Sequence, residues 1–134
     1  MTSLRIATVH GVELIAEGDD VVLARRNRDG SFEDGAVKVW RRLARPGTLV
    51  LDIGAYTGLY SILAARNGAR VVSFEPNPAA RERMTANMAR LDPGIRGRIA
   101  LDARAVSRRS VDEVVIGLGE PGPLNSAAAV DGDG

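Results

Sequence analysis

The stretch TLVLDIGAYTGLYSILAARNGARVVSFEPNP constrains the fold more than any other part of the sequence. Its first run, Thr48–Ile53, is almost wholly apolar, opens after Pro46-Gly47 and closes on Gly54. A strand buried on both faces of a parallel sheet looks like this. The pattern then predicts a helix over 57–67, stopped by Gly68. ARVVSFEP reads as a second buried strand. Pro76 disfavours helix at Glu75, and Asn77-Pro78 suits an N-cap followed by the first helical position. An amphipathic helix is expected over 78–91, ended by Asp92-Pro93-Gly94. A third strand, RIALDARAV, and a fourth apolar segment, VDEVVIGL, come next. Strand, helix, strand, helix, strand implies an α/β fold: a Rossmann-like, doubly wound parallel sheet.

Before this unit, LRIATVHGVELIAEGDDVVLARR alternates apolar and polar residues and is broken by Gly11 and by Gly18-Asp19-Asp20. Two or three short antiparallel strands are expected, forming a small N-terminal flap over 1–33. From Asp34 to Ala44 the apolar residues Ala36, Val37, Val39, Trp40 and Leu43 fall at helical spacing. The sheet-bearing unit then covers 34–118. The remainder, 119–134, is rich in Gly, Pro, Ala and Asp and reads as loop or frayed end.

Composition excludes several function classes. A formal net charge of +1 argues against a dedicated nucleic-acid binder. The absence of cysteine excludes disulfides and thiolate metal sites. No segment approaches the roughly 18 apolar residues of a membrane helix, and MTSLRIATVH lacks the apolar run of a leader, so the expectation is a cytoplasmic protein away from membranes. No Asp/Glu/His cluster has metal-ligand spacing and no Ser–His–acid arrangement is visible, so no metal is assigned and the catalytic residues are unknown.

Two features converge on one place. The turn Gly54-Ala55-Tyr56-Thr57-Gly58 joins a buried strand to a helix, and the ligand crevice of a parallel sheet lies beyond the carboxyl ends of its strands. Glycine there allows close backbone approach, and a helix start favours a carboxylate or similar group. Glu75 ends the next strand, about 20 residues beyond Asp52, where an acid can accept both ribose hydroxyls of an adenosine. A dinucleotide fingerprint counted from Gly54 would need glycine where Tyr56 and Leu59 stand, and a Tyr side chain would crowd a diphosphate. The D-x-G-x-x-x-G spacing instead suits a ligand without phosphates. Asp52 would serve its ammonium group, directly or through water, and the helix start its carboxylate.

The run from Phe32 to Met88 resembles the FkbM family of S-adenosylmethionine-dependent methyltransferases. The family's segments are matched by Phe32-Glu33, Asp52, Gly54-Ala55, Gly58, Tyr60-Ser61, Phe74-Glu75-Pro76, Pro78 and Asn87. Tyr56 stands where Asn is commonest in the family. The resemblance implies a class I methyltransferase fold, S-adenosyl-L-methionine as methyl donor and, most often, O-methylation of a sugar or other small metabolite. It also implies that the turn at Ala105-Val106 lies against the adenine, and that Pro76 belongs to the cofactor site beside Glu75. The family continues with later strands, so the chain reads as truncated after the first half of the sheet. One edge of the strand Leu49–Ile53 would then be open to self-association. Two rival readings stay open: a non-catalytic adenosine-binding fragment or subunit, and a nicotinamide-dependent oxidoreductase. Glu33 is a cofactor contact or a helix-terminal charge, His10 a flap residue before a general base, and Trp40, Met84 and Met88 are core.

Overall fold

The computed structural model describes residues 4–17 and 19–109, together with two short strands at 115–116 and 128–129. The chain opens on β1 (Ile6–Val9) and β2 (Val12–Ile15), an antiparallel hairpin in which Val9 faces Val12. His10 and Gly11 form its two-residue turn with φ of 47° and 78°. Two positive φ angles in succession are what a type I′ turn requires, and that turn matches the twist of the paired strands. Val9, Val12 and Leu14 are fully buried, so the hairpin's inner face belongs to the core.

The third strand allowed for in the flap is absent. The segment after β2 is instead α1 (Asp19–Arg26). At strand spacing Asp20, Val22 and Ala24 would share a face. At helical spacing Asp20, Leu23 and Ala24 do, and this is the set turned inward: Asp20 is fully buried, and Leu23 and Ala24 pack on the core. Tertiary contacts of Asp20 override the strand preference of the two valines.

The second helix, α2 (Asp34–Leu43), carries an exposed Lys38–Asp34 pair one turn apart and buries Val37. Then come β3 (Leu49–Ile53), α3 (Leu59–Arg66), β4 (Arg70–Phe74), α4 (Pro78–Met88), a single-turn α5 (Pro93–Arg96) and β5 (Ile99–Asp102). The three strands pair in parallel in the order β3-β4-β5, with Asp52 beside Ser73 and Phe74 beside Asp102. Asn77 caps α4 as expected, its side chain accepting the Ala79 N–H at 3.0 Å, with Pro78 at the first helical position. Pro93 does not merely stop α4; it starts α5 from its own first position.

Helix α3 packs across all three parallel strands, and the hairpin's β2 packs over α3 and α4. The core forms between these layers around Leu14, Val37, Ile62, Ala64, Ala65, Val71 and Met84. Burying a side chain such as Ile62 completely contributes on the order of 1.5–3 kcal/mol. No helix among the described residues is long and apolar enough to cross a membrane.

Of the segments after β5, Val115–Ile116 (β6) pairs antiparallel with Ala128–Ala129 (β7). Of the VDEVVIGL run, Val115 and Ile116 thus pair with β7 and not with the parallel sheet, and two residues of the expected loop at 119–134 are strand. The rest of both segments lies outside the described residues.

In the described sheet β3 has a partner on one side alone. Its face opposite α3 presents Leu49, Leu51 and Ile53 at 62%, 55% and 60% exposure. No lysine, proline or outward charge guards that row, the usual protection of a sheet edge. The 134-residue chain is accordingly expected to self-associate, with Leu51→Lys shifting it toward monomer. Size-exclusion chromatography with light scattering checks this, and a monodisperse wild-type monomer would contradict it.

Candidate functional site

The carboxyl ends of β3 and β4 bring Glu75 into direct contact with the glycine turn, two of the features singled out by sequence. Gly54 takes a φ of 78°, Tyr56 of 52° and Gly58 of 98°, so the chain turns sharply three times within five residues. Gly54 and Ala55 both donate to the carbonyl of Phe74, at 2.9 and 3.1 Å. The Tyr56 N–H donates to Glu75 Oε2 at 2.8 Å, and the Asn77 N–H to Glu75 Oε1 at 2.9 Å. Glu75 is fully buried. Its carboxylate thus joins the glycine turn to the loop after β4, in addition to any role toward a ligand. Two N–H bonds occupy half of the roughly four acceptor positions of a carboxylate.

Asp52 lies one strand away, 8% exposed. Ser61, on the first turn of α3, donates to Asp52 Oδ2 at 2.5 Å and shares a 2.7 Å hydrogen bond with the Ser73 hydroxyl of β4. Burial pushes the Asp52 carboxyl above the ordinary carboxylate range. Hydrogen bonds from Ser61 oppose that shift, and the charge of Glu75 adds to it. Two acids beside one turn form a locally negative site, suited to a ligand carrying an ammonium or other cationic group.

Gly58 caps α3 from the left-handed region, and a Cβ built there would lie 3.0 Å from Met84 Cγ. This glycine is required twice over, by its φ and by the close approach of α4. Pro76 continues from Glu75, and the carbonyls of both accept from Arg81, at 2.5 Å and 2.9 Å respectively. Ala105 and Val106 lie beyond β5, the first half-buried and the second 51% exposed. Among the described residues no hydrogen bond joins either to the turn. Asp102 sits nearer, its carbonyl accepting the Glu75 N–H at 3.0 Å. Its side chain turns to Arg104, whose hydrogen bonds hold the carboxyl at about 2.

Sequence reasoning missed a second set of partners. Thr57 Oγ1 donates to Asp20 Oδ1 at 2.9 Å, and Arg83 Nη1 donates to Asp20 Oδ2 at 3.0 Å. Asn87 Nδ2 donates to the Thr57 carbonyl at 2.9 Å, while its Oδ1 accepts the Ile15 N–H at 2.8 Å. Read as part of the Gly18-Asp19-Asp20 break between strands, Asp20 gives no sign of facing inward; only its position on the inner face of α1 does. Glu33, at the start of α2, accepts from the Tyr60 hydroxyl of α3 at 2.6 Å from a left-handed backbone with φ of 49°, and takes no part in the glycine turn's hydrogen bonds. Burial, then the Glu33 bond, raises the Tyr60 hydroxyl's pKa. Trp40 donates to the Tyr60 carbonyl and meets its ring edge-on at 5.2 Å. The His10 imidazole contacts the Phe32 carbonyl. No group of three or more potential metal ligands occurs among the described residues.

No family model matches the chain. A 52-residue stretch is 44% identical to the AMB antimetabolite synthetase AmbE of Pseudomonas aeruginosa, which is 37% of this chain and 2% of that synthetase. A protein from Pyrococcus horikoshii assigned as a transferase superposes with a TM-score of 0.55 at 16% identity, over 78% of this chain and 37% of its own. The SAM-dependent methyltransferase of Agrobacterium tumefaciens gives 0.54 at 18% identity, over 78% of this chain and 33% of its own. The chain therefore has the Rossmann-like fold of the two solved structures and spans about a third of the length of each, whereas its match covers 2% of the synthetase.

Two outcomes test the geometry. Gly58→Val is expected to cost about 1–3 kcal/mol of stability in chemical denaturation, from overpacking against Met84 and the forced φ. Asp52 binds its proton more tightly folded than unfolded, so its favourable contribution is present at low pH and lost as pH rises through the folded-state value. Asp52→Asn should then melt higher than wild type at pH 7, with the gap closing below about pH 4. A lower melting temperature at pH 7 would contradict this assignment.

Proposed function

We propose that this chain is the cofactor-binding part of an S-adenosylmethionine-dependent class I methyltransferase of the FkbM type, acting by O-methylation on a sugar or other small metabolite. One observation carries the reading. The acid ending β4 is hydrogen-bonded to the glycine turn after β3, with a second buried acid beneath that turn.

The residues present fit such a cofactor. Glu75 keeps two acceptor positions for the ribose hydroxyls after serving Tyr56 and Asn77. Asp52 is held above the ordinary carboxylate range by burial, and an ammonium group beside it would offset that penalty. The start of α3 at Gly58 favours the ligand's carboxylate. Ala105 and Val106 would line the adenine, and Gly54, Ala55, Tyr56, Thr57 and Pro76 shape the walls. When bound, S-adenosylmethionine supplies an activated methyl group on a sulfonium. The chain's own residues then have to orient the donor and exclude water, which requires neither a metal nor a nucleophilic side chain. The side chain of Tyr56 disfavours a dinucleotide, since the phosphates of such a ligand need the backbone bare there.

The similarity to a synthetase of which the match is 2% supports such a unit working within a larger polypeptide. The open face of β3 favours a second reading, a binding module whose chemistry is completed by other polypeptide.

Calorimetric titration with S-adenosylhomocysteine and with NAD separates these classes. The first is expected to bind and the second not. Asp52→Asn should weaken S-adenosylhomocysteine by about 10- to 150-fold, the scale of one lost hydrogen bond to a charged group. No binding of S-adenosylhomocysteine by wild type, or an unchanged Kd in Asp52→Asn, would overturn the proposal. Methyl release with candidate sugars then distinguishes an enzyme from a binding module.

A further inference from the structure

The Asp20 carboxylate ties together three segments that are far apart in sequence. It sits on α1, is fully buried, and accepts from Thr57 of the glycine turn and from Arg83 of α4. Arg83 also donates to the Glu17 carbonyl at 3.1 Å, so α4 grips the chain on both sides of the entry to α1. A buried carboxylate without a cationic partner is strongly destabilising, and Arg83 at 3.0 Å supplies that partner. An acid is retained here where an apolar residue would pack more cheaply. The hydroxyl it meets belongs to Thr57, which lies between left-handed Tyr56 and left-handed Gly58.

A non-glycine residue in that conformation persists when its surroundings over-determine it. The turn is held from three directions. Glu75 takes the Tyr56 N–H, Asn87 takes the Thr57 carbonyl, and Asp20 takes the Thr57 hydroxyl. The first two bonds fix the backbone. The third is a side-chain bond that orients Thr57 and links the turn to α1.

We propose that Asp20, its buried charge balanced by Arg83, is a positioning residue that presets the glycine turn for its ligand through Thr57, making the N-terminal segment part of the binding site. This rests on the reading of the turn as an S-adenosylmethionine site. Neither residue is assigned to touch the ligand. The effect of Asp20 is to hold the turn in the ligand-competent geometry before binding, so that no ordering is left to be done at that step.

The test separates presetting from mere support of the fold. Kd for S-adenosylhomocysteine is measured by calorimetry for wild type, Asp20→Leu, Asp20→Asn, Thr57→Val and the Asp20→Leu/Thr57→Val double variant. Each is studied at a temperature well below its own melting transition, where support of the fold alone leaves affinity unchanged. Asp20→Leu and Thr57→Val are each expected to weaken binding about tenfold, and the double variant no more than the weaker single one. Asp20→Asn keeps an acceptor for Thr57 and should retain most of the affinity while melting lower, because its pairing with Arg83 is lost. If Asp20→Leu fails to fold, Thr57→Val and Asp20→Asn carry the comparison. Wild-type affinity in Thr57→Val overturns the positioning role and leaves the cofactor reading standing. Failure of wild type itself to bind S-adenosylhomocysteine overturns both.

Discussion

The Glu75 carboxylate is the interaction on which the rest of the site depends. Parallel strands β3 and β4 end side by side, and past the Gly54 and Ala55 bonds to the Phe74 carbonyl a further tie has to fix the path of the turn. Glu75 supplies that tie by accepting Tyr56 N–H with one oxygen and Asn77 N–H with the other. Hydrogen bonds to a charged acceptor contribute roughly 1.5–3 kcal/mol each, enough to hold Tyr56 at a positive φ whose strain is of order 1–3 kcal/mol. The same bonds offset the penalty of burying the charge. Once Tyr56 is fixed, Thr57 and Gly58 follow within two residues, and α3 starts where its first turn can bring Ser61 to Asp52.

That local order contrasts with the sheet as a whole. Parallel strands are ordinarily covered on both faces, because crossover helices lie on each side. Here α3 covers one face of β3, and the other presents three aliphatic side chains in a row, with Val39 and Leu43 of α2 also exposed. Apolar area of this kind gains about 25 cal/mol for each Å² removed from water. Any polypeptide able to pair with β3 and lay side chains over Leu49, Leu51 and Ile53 would be bound by both backbone and apolar terms.

Much of this was legible in the sequence, for physical reasons that differ by element. The strand–turn–helix around Gly54 and Gly58 was readable because buried parallel strands are short unbroken apolar runs and because glycine marks positive φ. The cap of α4 was readable because Asn77-Pro78 encodes both the side-chain acceptor and the fixed φ of the next residue. The identity of α1 was not. Its two valines and alternating pattern suit a strand, and the deciding contact, Asp20 with Thr57 and Arg83, joins positions that no local window contains. The partners of Glu75 were hidden for a related reason: the residue type and spacing announced a ligand, while backbone donors took half of its capacity. The pairing of Val115–Ile116 was equally hidden, since two-residue strands carry almost no periodicity.

The electrostatics of the two acids link stability to binding. Asp52 and Glu75 are both buried, and the charge of Glu75 disfavours that of Asp52. A fold selected for stability alone would have little reason to keep Asp52, whose burial opposes its ionised form and whose hydrogen bond from Ser61 a neutral amide could equally accept. A carboxylate kept under those conditions is a site where stability has been given up, and such sites cluster where ligands bind. A ligand cation reverses the sign of the penalty, because the attraction that draws it in is strongest where water is excluded. On the proposed reading, a cationic ligand at the turn would relieve the penalty that burial imposes on the Asp52 carboxylate.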